Sequence, residues 1–192
     1  MCDADYKFTY IDVGSYGKSS DSGIFKNSAL YDQLSKGSLD IPAASPLEGG
    51  KLFPYVILAD HGFAMSENLI RPYGGKGLSD EKNIFNYRLS RARRCIECAF
   101  GIMASKWRIF YRPLNVDLEL TENAVKAECV LHNFVRRRDG HRSEYAPESE
   151  QSAFYDIEND STSRANPKVL DIRDQFAKYF VKNPLEWQNE KI

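Results

Sequence analysis

The stretch IFNYRLSRARRCIECAFGIMASKW, residues 84–107, has the apolar spacing of one long helix. Its apolar side chains recur at steps of three and four, which places them on one face at 3.6 residues per turn. Ser79 precedes it as an N-cap, so we predict a helix from there to about Lys106. The predicted buried stripe comprises Phe85, Leu89, Ala92, Ile96, Ala99 or Phe100, Met103 and Trp107.

Two kinds of functional residue compete inside this helix. Cys-x2-Cys followed by Cys-x2-His is a valid zinc-ligand set, and the four residues are Cys95, Cys98, Cys129 and His132. However, both pairs lie in helical patterns rather than tight turns, and a buried free cysteine also acts as a small apolar residue. Glu97, between the first two cysteines, lies where the stripe meets the polar surface. A zinc module and a carboxylate site are both open at this point.

The first half of the chain alternates strand and helix patterns. The aromatic and β-branched run from Tyr6 to Val13 predicts a strand. Ser20 or Asp21 caps a predicted helix that ends before 38–50, an exposed connection rich in Pro, Ser and Gly. The continuous apolar run from Tyr55 to Ala59 predicts a short strand covered on both faces.

The second half contains two further helical patterns. Thr121 is the predicted cap of a helix that ends with the basic run Arg136 to Arg138 and carries Ala124, Ala127, Leu131, Phe134 and Val135. Residues 139–165 have no apolar period and are predicted to be a flexible linker. Asn166 and Pro167 then begin a C-terminal helix within 166–192, which we expect to pack back on the domain. Its apolar residues are Val169, Ile172, Phe176, Tyr179 and Phe180.

The composition excludes several classes of protein. With 192 residues, 42% hydrophobic and 28% charged, the chain has the make-up of a globular domain with a sizeable core. Its formal net charge of −1 means that attraction to nucleic acid has to come from local basic clusters. Four cysteines without a leading signal segment indicate reduced thiols, and the longest apolar run is far below the ~18 residues of a membrane span.

A carboxylate site needs a partner for Glu97, and Asp60 is the candidate. Asp60 follows the strand pattern of 55–59, where a side chain leaves the core but is held by a rigid element. Carboxylate oxygens are the ligands that Mg2+ prefers, and paired ions of this type assist phosphoryl transfer. A capping or turn aspartate is the other interpretation of this position. Taken alone, two carboxylates in a chain of this size are a weak signal.

A family resemblance strengthens the carboxylate interpretation. The segments ILADHGF, LIRPYGG, FNYRLSRARRCIECAFGIMASKWRIF and VLHNFVRRR resemble, in this order, the DDE nuclease domain of PIF/Harbinger transposases and their domesticated relatives. The opening YIDVGSYGKSSDSGIFKNSALY and the closing IRDQFAKYFVKNPLEWQ are similar to the family's flanking segments. The likeness extends over nearly the whole chain.

The resemblance implies an α/β fold of RNase H-like type, with a mixed sheet flanked by helices. It implies that Asp60 and Glu97 are catalytic and bind a divalent metal, Mg2+ or Mn2+, for DNA strand cleavage and transfer. Lys76, Arg93 and Arg94 are then candidate phosphate contacts. DNA is the implied partner, together with a Myb-like companion protein, and no membrane is involved. The implied location is the nucleus, with the cytoplasm as an alternative.

One departure from the family pattern limits the expected activity. The family's first catalytic aspartate lies in an Asp-Gly-x-His strand upstream of the YIDVG segment, and this chain does not contain that strand. Residues 1–138 are therefore interpreted as the C-terminal part of a DDE nuclease domain, incomplete at the N-terminus. We expect little or no cleavage by this chain alone. The alternatives are a non-catalytic DNA- or protein-binding remnant and a zinc-stabilised module.

Overall fold

The computed structural model describes residues 1–15, 18–140, 166–186 and 188. Over these residues the fold is mixed α/β, as predicted at the level of fold class, and helices predominate. The elements are α1 (Asp21–Lys26), α2 (Ala29–Lys36), β1 (Ser45–Pro46), β2 (Leu52–Phe53), β3 (Ile57–Leu58), β4 (Leu69–Ile70), α3 (Asp80–Lys106), a 3-10 helix (Arg108–Tyr111), α4 (Leu118–Asp139) and α5 (Pro167–Lys182). Strands β1 and β2 pair antiparallel, and β3 and β4 pair in parallel.

The described residues divide into two compact units. Unit I consists of 1–15 and 92–140, and unit II consists of 18–91, 166–186 and 188. Helix α3 is continuous through the boundary, with Arg91 in unit II and Ala92 in unit I. Each unit has its own cluster of buried apolar side chains.

The core of unit II joins the first part of α3 to α5 and to β4. Its buried cluster comprises Ile70, Tyr73, Phe85, Leu89 and Ala177, with Phe176 and Phe180 packed against it. Phe85 is fully buried and stacks on Phe180 at 5.9 Å between ring centroids. Arg88 crosses between the helices, because its Nε donates to Gln188 Oε1 at 2.8 Å and its Nη2 donates to the carbonyl oxygen of Asn183 at 2.7 Å.

The core of unit I is smaller and lies between α3 and α4. Phe8, Ala99, Met103 and Cys129 are its buried members. The Cys129 thiol lies 4.0 Å from the Met103 sulfur. The apolar stripe predicted for α3 is confirmed at Phe85, Leu89, Ala99 and Met103, whereas Ala92 and Phe100 are exposed.

Helix α4 buries three polar or charged side chains and exposes several apolar ones. Its buried residues are Glu128, Cys129, His132 and Arg136. Leu131 and Phe134, two of the apolar residues that the sequence places on this helix, have exposed fractions of 47% and 59%. The reason is that the inner face packs against main-chain atoms of the N-terminal segment, which require hydrogen-bonding partners rather than apolar ones.

Three α4 side chains form this contact with the segment 5–8. Asn133 accepts a hydrogen bond from Phe8 N at 2.7 Å and donates one to Phe8 O at 2.8 Å, as a paired strand would. His132 Nε2 lies 2.7 Å from the carbonyl oxygen of Tyr6. The Arg136 Nε donates to the carbonyl oxygen of Asp5 at 3.1 Å, and its guanidinium lies over the Tyr6 ring. The segment 5–8 is thus held mainly through its backbone.

The strand predicted from Tyr6 to Val13 is absent, and this prediction is wrong. The described segment makes one isolated bridge, between Cys2 and Phe8. Tyr6 adopts a positive φ of 62° inside a tight turn in which Asp3 Oδ1 accepts from the backbone N–H groups of Asp5 and Lys7. The β-forming composition of the segment is therefore overridden by local side-chain hydrogen bonds and by the contact with α4.

Three other boundaries differ from the predictions. The helix predicted after Ser20 is broken into α1 and α2, because the Ser28 hydroxyl accepts from Tyr31 N and starts a second helix. Helix α4 begins four residues earlier than predicted, since Asp117 rather than Thr121 is its N-cap. Strand β3 is only Ile57–Leu58, and Leu58 is 36% exposed, so the strand is not covered on both faces.

The C-terminal helix begins as predicted. Asn166 is the N-cap of α5 and Pro167 is its first residue. Val169 and Ala177 are buried in this helix. Most of the predicted linker, 141–165, lies outside the described residues, and Asp139 still belongs to α4.

The buried imidazole of His132 makes the stability of the chain depend on pH. Burial lowers the pKa of His132 most strongly; the hydrogen bond to Tyr6 O opposes this, and the charges of Arg136 and Lys106 add to the lowering. The unfolded chain therefore binds the proton more readily, and stability is lost as pH falls below about 6.5, the value of a free histidine.

Urea denaturation at pH 7.5 and pH 5.5 checks this effect. We expect the free energy of unfolding of the wild type to fall more, over this interval, than that of His132→Gln, whose amide also reaches Tyr6 O. Burial raises the pKa of Glu128, which opposes the trend at lower pH, but both proteins carry this residue. An equal fall in the two proteins would contradict the assignment to His132.

Candidate functional site

Asp60 lies where the chain leaves strand β3 in unit II. Ala59, just before it, is buried and donates its N–H to Ile70 O at 2.9 Å, which fixes the end of the parallel pair. One Asp60 carboxylate oxygen, Oδ1, accepts from Gly62 N at 2.9 Å and so closes a tight turn. The side chain is half-buried.

The turn after Asp60 is held from the β4 side. Arg71, which follows β4, donates from Nη1 to the carbonyl oxygen of His61 at 2.6 Å. His61 therefore serves the site through its backbone in this contact. A Cβ atom added at Gly62 would lie 3.2 Å from Asp60 Oδ1. Any larger residue at this position would therefore crowd the carboxylate. The position of Asp60 is thus determined by β3, β4 and the turn together.

Lys76 belongs to unit II and lies in the exposed glycine-rich loop before α3. Gly75 and Gly77 on either side of it have positive φ values of 95° and 67°, which favour glycine. The lysine side chain is exposed.

Glu97, Arg93 and Arg94 lie together on the unit I part of α3. Glu97 is three residues after Arg94 and four after Arg93, so the three side chains are neighbours on the helix surface. Glu97 is exposed, whereas both arginines are half-buried. Cys95 and Ile96 face inward beside them, and burial raises the pKa of the Cys95 thiol. The carboxylate is therefore the solvent-facing group of this segment.

The predicted site residues thus fall into two groups. Asp60 and Lys76 lie in unit II, and Glu97, Arg93 and Arg94 lie in unit I. Within the described residues, no three or more His, Cys, Asp or Glu side chains gather in a way that could hold a metal ion.

The zinc-module alternative is therefore wrong for the structure described. His132, one of its four ligands, is 1% exposed and engages the Tyr6 carbonyl oxygen. Cys129 is packed against Met103 in the core of unit I. Burial raises the pKa of Cys129 and Cys95, which favours the thiol over the thiolate that zinc requires. Cys129 acts as a core side chain, and Cys95 and Cys98 are half-buried.

The donors present suit a hard divalent cation only in part. Asp60 and Glu97 supply carboxylate oxygens, the right type of ligand for Mg2+ or Mn2+. A two-metal nuclease site needs more carboxylates than these two. Among the described residues, neither Asp60 nor Glu97 belongs to a group of three or more possible metal ligands. The residues present do not fit a complete site.

Sequence reasoning missed the role of Tyr73 in the segment LIRPYGG. Tyr73 is buried; its hydroxyl donates to Asp174 Oδ1 at 2.6 Å, and the Arg173 guanidinium lies 3.9 Å from its ring centroid. Burial and the Asp174 contact raise the pKa of Tyr73 well above its usual value. The segment therefore anchors α5 in unit II. The pairing of Tyr73 with a residue about a hundred positions away carries no local signal in the sequence.

The fold and the candidate site define a mixed α/β protein with a carboxylate at the end of a parallel strand pair and another on a long helix. A family model described as "DDE superfamily endonuclease" matches residues 1–133, and the chain belongs to this family. Endonucleases of this superfamily generally use divalent metals. The expected relationship to DDE nucleases is confirmed.

One curated relative is similar over most of the chain. It is a protein from Arabidopsis thaliana described as "Protein ALP1-like", 27% identical over 152 residues, or 79% of this chain. The chain spans 37% of the length of that relative. No solved structure matches. Among the described helices, none combines the length and the apolar character that crossing a membrane requires.

The Asp60 turn can be separated from the Asp60 charge by two substitutions. Asp60→Asn keeps an oxygen that accepts from Gly62 N, whereas Asp60→Ala removes it. We expect Asp60→Ala to lower the free energy of unfolding by about 1 kcal/mol or more, the usual net contribution of such a bond, and Asp60→Asn, which keeps that bond, to lower it less. Urea denaturation at pH 7 measures both. An equal loss in both variants would show that the charge, not the turn, supports the fold.

Proposed function

We propose that this chain is part of a Harbinger-type DDE nuclease domain in which Asp60 and Glu97 are metal-binding carboxylates. The supporting observation is that the family match covers both residues, with Asp60 in the turn that follows β3 and Glu97 on helix α3. An RNase H-like arrangement is part of this proposal, supported by the parallel pairing of β3 with β4 and by the long helix that follows. When bound, the metal would supply charge stabilisation for phosphodiester cleavage.

The chain on its own is proposed to be inactive or nearly so. Two carboxylates seldom fix the geometry of a two-metal site, and the described residues add no third one. What these residues contribute is a rigid turn that orients Asp60 and an exposed helical position for Glu97. A complete two-metal site would need ligands beyond these two.

DNA is the proposed partner, with Lys76, Arg93 and Arg94 as phosphate contacts. Lys76 is exposed on a glycine-rich loop, and the two arginines lie beside Glu97 on α3. Because the formal net charge of the chain is −1, such binding would depend on these local positive groups and on low salt. A Myb-like companion and a nuclear location rest on the family resemblance alone.

A plasmid-nicking assay with Mg2+ or Mn2+ tests the proposed inactivity. We expect the wild type, Asp60→Asn and Glu97→Gln to give the same background level of nicked supercoiled DNA. Glu81→Gln is the matched control, since Glu81 lies in the first turn of the same helix. Robust metal-dependent nicking that Glu97→Gln abolishes and Glu81→Gln retains would contradict the proposed inactivity and establish a complete site.

A second assay distinguishes a DNA-binding protein without catalysis. Fluorescence anisotropy with a labelled duplex is measured over a range of salt concentrations for the wild type and for the triple variant Lys76→Gln, Arg93→Gln, Arg94→Gln. If each residue contacts one phosphate, the slope of log K against log salt becomes shallower by about 3. The matched control carries the same charge loss at Lys18, Lys51 and Lys178, three exposed lysines elsewhere in the chain.

The two triple variants together decide the DNA interface. An unchanged slope in the first variant, or an equal change in both variants, would contradict the assignment of these three contacts. Binding that depends on them but is unaffected by Asp60→Asn and Glu97→Gln would favour the non-catalytic binding function over a nuclease.

A further inference from the structure

The outer face of α4 carries a row of exposed apolar side chains. The exposed fractions are 54% for Leu120, 67% for Val130, 47% for Leu131 and 59% for Phe134. Ala127, in the middle of the row, is exposed as well. We call these five residues the outer stripe. Isolated exposed apolar residues are common on proteins, but a contiguous group of them indicates an interaction surface.

The helical spacing brings the members of the outer stripe together. At 100° per residue they fall within an arc of about 100° on the side opposite to the buried His132 and Cys129. From Leu120 to Phe134 the stripe is about 21 Å long, at 1.5 Å per residue. This is the pattern of a helix that packs along another helix.

The charges along α4 identify the kind of helix that fits. The helix begins with acidic residues, its cap Asp117 followed by Glu119 and Glu122, and ends with Arg136, Arg137 and Arg138. Glu119 and Arg137 are 18 residues apart, or five turns at 3.6 residues per turn, so they lie on the same edge of the stripe at opposite ends. A partner helix with the same sequence, running antiparallel, would therefore place Arg137 of one copy opposite Glu119 of the other.

We propose that the outer stripe is a self-association surface, in which α4 of one copy packs antiparallel on α4 of a second copy. The two-fold axis crosses the interface at the level of residue 128 along the helix, halfway between Glu119 and Arg137. The small exposed side chain of Ala127 lies at this level and permits close approach of the two helices. Each Glu119 then faces Arg137 of the other copy, and the two helix dipoles oppose each other favourably. A parallel pair would instead bring Arg137 of one copy close to Arg137 of the other.

The expected dimer is weak, because the stripe is short. One helix face of this length buries less than the ~1,200 Å2 found in most stable complexes, so we expect association in the micromolar range. This inference uses only the exposure and the charge pattern of α4, and it is independent of the proposed nuclease function.

Sedimentation velocity of the full chain at about 100 µM and about 2 µM tests the surface, since a micromolar affinity gives mainly dimer at the higher concentration. We expect Leu131→Lys and Phe134→Gln each to weaken association at least tenfold. Both positions are exposed, and circular dichroism verifies that each variant is folded. Val181→Lys is the control, because Val181 is an exposed apolar residue on α5, with 43% exposure.

A charge-exchange experiment tests the antiparallel geometry. Glu119→Arg alone and Arg137→Glu alone each place like charges opposite each other in the homodimer, so both variants should be monomeric at 100 µM. An equimolar mixture should dimerise again, because both contacts in the mixed pair join opposite charges. Added salt should weaken the mixed dimer and the wild-type dimer alike.

Each negative outcome overturns the proposal. If the wild type remains monomeric at 100 µM, the outer stripe is not a self-association surface. A dimer insensitive to Leu131→Lys and Phe134→Gln would place the interface elsewhere. A dimer that loses affinity in these variants but is not restored in the charge-exchange mixture would exclude the antiparallel pairing.

Discussion

Unit I depends on the hydrogen bonds that α4 makes with the backbone of the segment 5–8. A buried backbone group without a partner costs as much as a lost hydrogen bond, and here the partners come from a helix instead of a neighbouring strand. Asn133 satisfies both the N–H and the C=O of Phe8, and His132 and Arg136 satisfy the carbonyl oxygens of Tyr6 and Asp5. Phe8 then supplies the apolar anchor between α3 and α4.

This contact has costs that the rest of unit I has to offset. Tyr6 has a positive φ, which is unfavourable by about 1–2 kcal/mol for a residue with a Cβ. Glu128 is buried beside the contact, and its Oε2 has no hydrogen-bond partner in the described structure. Such costs persist only where the surrounding structure over-determines the conformation. Here the three α4 side chains hold the segment in place, and one of them, Arg136, also lies over the Tyr6 ring.

The same contact explains which parts of the fold were accessible from sequence. In α3 and α5 the buried side chains are apolar and recur at helical spacing, so both helices and the Asn166 cap follow from pattern alone. In α4 the buried His132 and Arg136 bind backbone, whereas Leu131 and Phe134 are exposed, so apolar periodicity predicts this helix but not which of its faces is buried. The strand predicted for 6–13 fails for a related reason. The backbone of Tyr6 and Phe8 bonds to helix side chains instead of a neighbouring strand, and strand propensity carries no information about such a partner.

In the candidate site, too, short sequence patterns predict where a residue lies, but not the contacts it makes there. The placement of Asp60 just after a strand and of Glu97 on a helix follows from short patterns: Asp60 lies two residues beyond the end of β3, and Glu97 lies within α3. What Asp60 does there is a separate matter, because the turn with Gly62 is sufficient to explain an aspartate at that position. The same oxygen that closes a turn also fixes the direction of the carboxylate, so a structural role and a metal-binding role are compatible in one residue. The distinction lies in the negative charge: an amide closes the turn equally well, whereas a divalent cation requires the carboxylate.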